Sequence, residues 1–128
     1  MKVLSIDDSK TVREAVRTMV EVIGADFLEA ENGIAGLNVL ESENGKIDLI
    51  LLDWEMPEMN GYDFLTTVKA DKRYRSIPVI MLTTVSQKEK VIDAIRAGAK
   101  QYITKPFSTE DILTKIVQAL GLDALEDL

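Results

Sequence analysis

Asp7, Asp8, Asp53, Thr83 and Lys105 are the residues of this sequence whose side chains could do chemistry together. The carboxylates form an oxygen-only ligand set, short of the number that calcium prefers and suited to a Mg²⁺ ion that keeps several waters. Brought within ~4 Å of one another, they would repel by about 4 kcal/mol per pair at an effective dielectric near ~20. Something cationic must therefore sit among them, and Lys105 supplies one charge. Taken singly, each residue has a plainer reading. Asp7-Asp8 reads equally as an N-cap and turn, Asp53 as a strand terminator, Thr83 as a strand-end hydroxyl and Lys105 as a solvated surface lysine. Their joint position along the chain decides between the readings.

That position is set by short apolar runs. Residues 49–52, Leu-Ile-Leu-Leu, are apolar on consecutive positions and too few for a helix, as in a strand buried on both faces. The run ends on Asp53, and Met56-Pro57 followed by Asn60-Gly61 makes the next stretch a loop. The first strand, 3–6, runs into Asp7-Asp8-Ser9; the fourth, 79–82, follows Pro78 and ends in Thr83 and Thr84; the fifth, near 101–104, ends at Lys105-Pro106-Phe107. A marginal second strand lies at 26–29.

Helical spacing fills the intervals. Val12, Ala15, Val16, Met19, Val20 and Ile23 mark the first helix, with Gly24 as its stop. Ile34, Leu37 and Leu40 are expected apolar positions of the second, Phe64, Leu65 and Val68 of the third. Val91, Ala94, Ile95 and Gly98 are expected on one face of the fourth. Ile112, Leu113, Ile116, Val117 and Leu120 belong to the last, capped by Ser108 or Thr109. The pairs Asn32-Gly33, Asn44-Gly45 and Asn60-Gly61 could signal β-hairpins, but each lies between a helical and an extended segment. Five strands alternating with five helices predict an α/β fold, a parallel sheet with helices on both faces. In such a sheet the C-terminal strand ends share one rim, where ligands collect.

The 128 residues, 46% apolar, fit one domain, with a core to about residue 121 and a short tail. Without Cys there are no disulfides or thiolate sites; without His there is no imidazole base, no His-built zinc site and no phosphohistidine on this chain. A formal charge of −7 argues against nucleic-acid binding. The absence of a long apolar stretch argues against membrane insertion, and residues 1–4 read as a strand start rather than a signal peptide. A cytoplasmic location is the expectation.

The set Asp7-Asp8-Ser9 with Arg13, Asp53-Trp54 with Met56-Pro57 and Gly61, then Thr83, Ala97-Gly98-Ala99, Tyr102 and Lys105-Pro106-Phe107 resembles the receiver domains of two-component response regulators, especially the stand-alone, CheY-like chemotaxis type. The resemblance implies the flavodoxin-like, doubly wound five-stranded sheet of order 2-1-3-4-5. It implies that Asp53 accepts a phosphoryl group from a partner histidine kinase, making the chain a phosphorylation-activated switch rather than a turnover enzyme. Asp8, Asp53 and the backbone carbonyl of Glu55 would ligate Mg²⁺ directly, Asp7 through water. Lys105 would neutralise phosphoryl charge, Thr83 would hydrogen-bond a phosphoryl oxygen, and Tyr102 would turn inward as Thr83 moves. A cis bond before Pro106 belongs to the same expectation. Glu55 and Val85 occupy places where family members differ and which tune dephosphorylation. Trp54 reads as a large residue shielding the rim.

The output is expected to be protein binding. Lys88, Lys90, Arg96, Lys100 and Lys105 outnumber Glu89 and Asp93 between 86 and 105, so this stretch, with Tyr102, is either a solvated face or a partner surface for an acidic target such as a flagellar motor switch component. Rival readings are a phosphorelay intermediate, a Mg²⁺-dependent phosphatase with an aspartate nucleophile, and flavodoxin-like nucleotide or flavin binding. The phosphatase pattern puts its nucleophile on the first strand with a second Asp two residues on, whereas Asp53 lies on the third and Glu55 follows it. Nucleotide binding lacks a glycine-rich phosphate loop.

Overall fold

In the computed structural model, which describes residues 1–84 and 88–121, strands and helices alternate along the chain. They are β1 (Lys2–Ile6), α1 (Lys10–Val22), β2 (Asp26–Ala30), α2 (Gly33–Ser42), β3 (Leu49–Asp53), α3 (Gly61–Ala70), β4 (Val79–Thr84), α4 (Lys88–Arg96), β5 (Gln101–Lys105) and α5 (Thr109–Leu120). Val85, the side chain of Lys88 and the tail at 122–128 lie outside the described residues.

All five strands are parallel, in the expected order β2-β1-β3-β4-β5. Every residue of β3 is buried, because α1 and α5 cover one face of the sheet and α2, α3 and α4 the other. Alternation along the strands divides the core accordingly. Leu4, Ile6, Ile50, Leu52 and Met81 meet Leu40, Phe64, Leu65, Val68 and Ala94; Val3, Leu49, Leu51, Ile80 and Leu82 meet Val16, Val20, Ile112 and Ile116.

Local chemistry starts and stops the helices. Asn32 and Asn60 are N-caps whose side-chain oxygens accept the N–H of Ala35 and Asp63, each at 2.8 Å. Asn44 and Gly45 end α2 in the left-handed region, at φ 54° and 70°. No hairpin therefore forms at any of the three Asn-Gly pairs. Ser9 caps α1, and Ser108 rather than Thr109 caps α5, sharing a reciprocal capping box with Asp111. The Lys105-Pro106 bond is cis, as expected.

Two expected core positions are corrected. Ile34 and Ile95 are exposed, at 46% and 45%. Ile34 lies in the first turn of α2, and only Ala94 of α4 is fully buried among the positions assigned to that helix's inner face. Gly98 lies beyond the end of α4, at φ 111°, rather than on its face.

Gly61 is where α3 approaches the end of β3 most closely. Its N–H donates to the Trp54 carbonyl at 2.8 Å. A Cβ added there would land on the Asp53 carbonyl oxygen and lie 2.9 Å from Trp54 Cα. Backbone cannot yield as a side chain tip can, so Gly61→Ala is expected to destabilise the fold by about 1 to 3 kcal/mol in denaturant titrations. An unchanged unfolding midpoint would contradict this close approach.

Candidate functional site

Each rim residue is delivered by a different strand end. β3 carries Asp53 to the edge with 7% of its surface exposed. β1 stops one residue earlier, so Asp7, fully buried, continues its line while Asp8 is exposed. The Asp7 N–H donates to the Ala30 carbonyl at 3.1 Å, and its Oδ1 accepts the Ser9 N–H at 2.9 Å. Asp7 and Ser9 thus divide the task expected of this turn, since Ser9 caps α1 and the Asp7 side chain orders the turn while facing the rim.

β5 supplies the cation. Lys105 Nζ donates to Asp7 Oδ2 at 3.0 Å and to Asp53 Oδ1 at 3.1 Å, joining residues far apart in sequence. One carboxylate oxygen from each of Asp7, Asp8 and Asp53 lies within 4.8 Å of the others. Convergence of these four side chains is what the sequence pattern anticipated.

The electrostatics are unbalanced. Burial first, and then the neighbouring Asp7 charge, push the Asp53 carboxyl up to about 7, against the pull of Lys105. Burial lowers the Lys105 pKa, but Asp7 and Asp53 more than offset this and leave it above the ordinary lysine value. One ammonium is thus too little positive charge for three carboxylates. The donor set, carboxylate oxygens on a partly open rim, fits a hard divalent cation such as Mg²⁺.

Thr83, 1% exposed, lies at the end of β4 opposite Thr104. It lines a cavity of about 360 Å³ together with Thr84, Val91, Ile92, Tyr102 and Thr104. Tyr102 is 43% exposed, with the Lys115 ammonium 5.8 Å from its ring centre. Thr83 and Tyr102 therefore border one space, on opposite terms with solvent.

Glu55 points outward, its side chain 68% exposed, and accepts from Lys90 Nζ at 3.1 Å. Lys90 also lies 5.9 Å from the Trp54 ring centre, and Trp54 tilts against Tyr62. Trp54 is itself buried, in keeping with a shielding residue. Lys90 is thereby turned toward the rim, whereas Arg96 and Lys100, assigned with it to a partner surface, are exposed. The Lys90–Glu55 pair and the ion pair of Arg13 with Glu29 were not anticipated. Arg13 and Arg17 are four residues apart and share a helix face, a signal that finds the face but not its partner.

The raised Asp53 pKa has a definite sign in the metal-free protein. An acid that ionises near its ordinary value when unfolded, but only near 7 when folded, stabilises the fold at low pH and loses that contribution as pH rises through 7. Thermal melts of metal-free protein should accordingly fall between about pH 4 and pH 8, and Asp53→Asn should remove that component. Identical pH profiles for the two proteins would contradict the crowding.

Known proteins are similar to this chain along most of its length. The response regulator receiver domain matches the chain over residues 3–117. The chemotaxis protein CheY1 of Helicobacter pylori is 41% identical over 122 residues, covering 94% of this chain and 98% of that protein. A chemotaxis protein CheY homolog of Campylobacter jejuni is 39% identical over 122 residues, covering 94% and 93%. Among solved structures, the chemotaxis protein CheY4 of Vibrio cholerae superposes with a TM-score of 0.85 at 31% identity, covering 93% of this chain and 98% of that one. With its receiver sequence along nearly the whole chain and its acidic rim closed by Lys105, this protein belongs to the response regulator receiver domain family, the phosphorylation-activated switches of two-component signalling.

Proposed function

We propose that Asp53 is the phosphoacceptor, taking a phosphoryl group from a phosphohistidine on a partner histidine kinase, and that the modified protein signals in chemotaxis by binding another protein. The observation that carries this reading is the Lys105 ammonium held between the buried carboxylates of Asp7 and Asp53, at 3.0 and 3.1 Å. A rim of this kind favours added negative charge only when a second cation joins it.

Asp8, Asp53 and the Glu55 carbonyl, with Asp7 through water, are the groups that would hold Mg²⁺. Bound there, the ion would keep Asp53 ionised and neutralise charge on the transferring oxygens. The Asp53 carboxylate attacks phosphorus; its O–P bond forms as the N–P bond of the kinase histidine breaks and the imidazole leaves. Lys105 compensates the phosphoryl oxygens as the charge moves. A carboxylate nucleophile has no proton to give up, which suits a chain with no histidine. Phosphorylation is stoichiometric, ending by hydrolysis of the acyl phosphate.

The Thr83 hydroxyl then donates to a phosphoryl oxygen, a charge-assisted bond worth roughly 1.5 to 3 kcal/mol. Its shift frees the cavity it shares with Tyr102, and the exposed ring turns inward. The surface that changes is formed by α4, β5 and α5. Arg96 and Lys100 give it positive charge, while Ile92 and Ile95 add exposed apolar area, at 57% and 45%. An acidic target such as a flagellar motor switch component fits that chemistry, and the chemotaxis names of relatives about 40% identical support the pathway. A cytoplasmic location follows from this reading; no helix among the described residues is long and apolar enough to cross a membrane.

Intact mass spectrometry after treatment with Mg²⁺ and acetyl phosphate should show one phosphoryl group on Asp53. Trp54 fluorescence should change with Mg²⁺ and again with the donor. Asp53→Asn should fold and gain nothing. Thr83→Ala should still be phosphorylated but lose roughly 1.5 to 3 kcal/mol of the coupling between phosphorylation and target affinity. Phosphoryl gain by Asp53→Asn, or many turnovers on small phosphate esters, would overturn the assignment.

A further inference from the structure

We propose that Arg13, held by Glu29, is a positioning residue that sets the direction in which the Asp7-Asp8 turn presents its carboxylates. The proposal rests on the reading of the rim as a cation and phosphoryl site. The Arg13 side chain is only 12% exposed. Its Nε donates to Glu29 Oε1 at 2.8 Å and its Nη1 to the backbone carbonyl of Asp7 at 2.5 Å. One guanidinium thus ties β2 to the residue that follows β1.

The Asp7 carbonyl belongs to the peptide plane that joins Asp7 to Asp8. Because that unit is planar, fixing its oxygen fixes the direction in which the chain leaves toward Asp8 Cα. The remaining polar atoms of Asp7 are bound by Ala30, Ser9 and Lys105. Arg13 completes the set at the carbonyl. A free rotation of this plane would move the Asp8 carboxylate, which is exposed and otherwise least constrained of the three.

Glu29 is suited to hold the arginine still. Its other oxygen accepts from Arg17 Nη2 at 2.6 Å, and the Arg17 guanidinium lies 4.7 Å from the Phe27 ring centre. The hydrogen bond from Arg13, opposed by burial, keeps the Glu29 carboxyl below its ordinary pKa, so it stays charged. The two arginines, one turn apart on α1, share this single carboxylate on β2. Two directed N–H groups on one rigid plane are what the contact with both Glu29 and Asp7 requires, and an ammonium cannot reproduce that fork.

Arg13→Lys keeps the charge and removes the fork, and Glu29→Gln keeps the shape and removes the anchor's charge. Mg²⁺ titration followed by Trp54 fluorescence should show binding about ten-fold weaker in Arg13→Lys, the scale of groups that orient metal ligands. Glu29→Gln should weaken it less. In metal-free protein, the amide resonances of Asp8 and Ser9 should move in both variants. Arg17→Ala, which removes one contact to Glu29 and leaves the Arg13 bond to the Asp7 carbonyl in place, should lower the melting temperature while changing Mg²⁺ binding least. If both variants bind Mg²⁺ as the wild type does and leave those resonances in place, even while melting lower, the positioning role is overturned. A wild type that does not respond to Mg²⁺ overturns the reading of the rim and this role with it, so the two failures are distinct.

Discussion

Three carboxylates gathered on the rim of a parallel sheet, with one lysine to balance them, impose the constraint on which the other features of this protein depend. Parallel strands have to end on the same side, so Asp7, Asp53 and Lys105 meet although they lie in different thirds of the chain. Burial makes their charges expensive, and it keeps Asp53 protonated until about pH 7. The fold thus carries an electrostatic deficit where several contacts hold its backbone in place. Gly61 presses α3 against the Asp53 carbonyl, Arg13 ties the Asp7 carbonyl, and the Ser9 N–H holds the Asp7 carboxylate. Little freedom is left for the rim to relax by moving apart.

A deficit held in a rigid frame can be relieved by adding positive charge, and the position of β4 gives that relief an outlet. Thr83 follows the buried run 79–82 and stands next to Thr104 of β5, bordering the space that Tyr102 also borders. On the proposed reading, a phosphoryl group on Asp53 would draw on the Thr83 hydroxyl at this strand end. The α4–β5–α5 surface leaves Ile92, Ile95 and Tyr102 exposed, whereas β3 is sealed on both faces. Lys90 connects the two regions, pairing with Glu55 on the loop after β3 while belonging to α4.

The elements that position the site were legible because their signals are local. Leu49 to Leu52 announces a doubly covered strand by being apolar at every position, and Ser108-Thr109 announces the last helix by side-chain chemistry that acts within three residues, whereas the capping roles of Asn32 and Asn60 emerge only from the structure. Parallel pairing then brings the rim together without further information. What escaped was partnership across elements. Periodicity assigned Ile34 and Ile95 to inner faces, but a helix that covers only one sheet edge or ends early buries a narrower stripe than its apolar content suggests. Arg13 stood among the residues that marked the resemblance, yet nothing in its spacing pointed to Glu29 on β2 or to the Asp7 carbonyl. Lys90 carried charge of the right sign for a partner surface, and its engagement with Glu55 depends on how α4 is laid against the sheet.

Calorimetric titration with Mg²⁺, repeated in buffers of different ionisation enthalpy, measures how many protons leave as the ion binds. If the crowded rim keeps Asp53 protonated until a cation replaces the proton, binding near pH 6 should release about one proton, and release should vanish well above the Asp53 pKa of about 7. Binding with no proton release at any pH, or no binding at all, would contradict it.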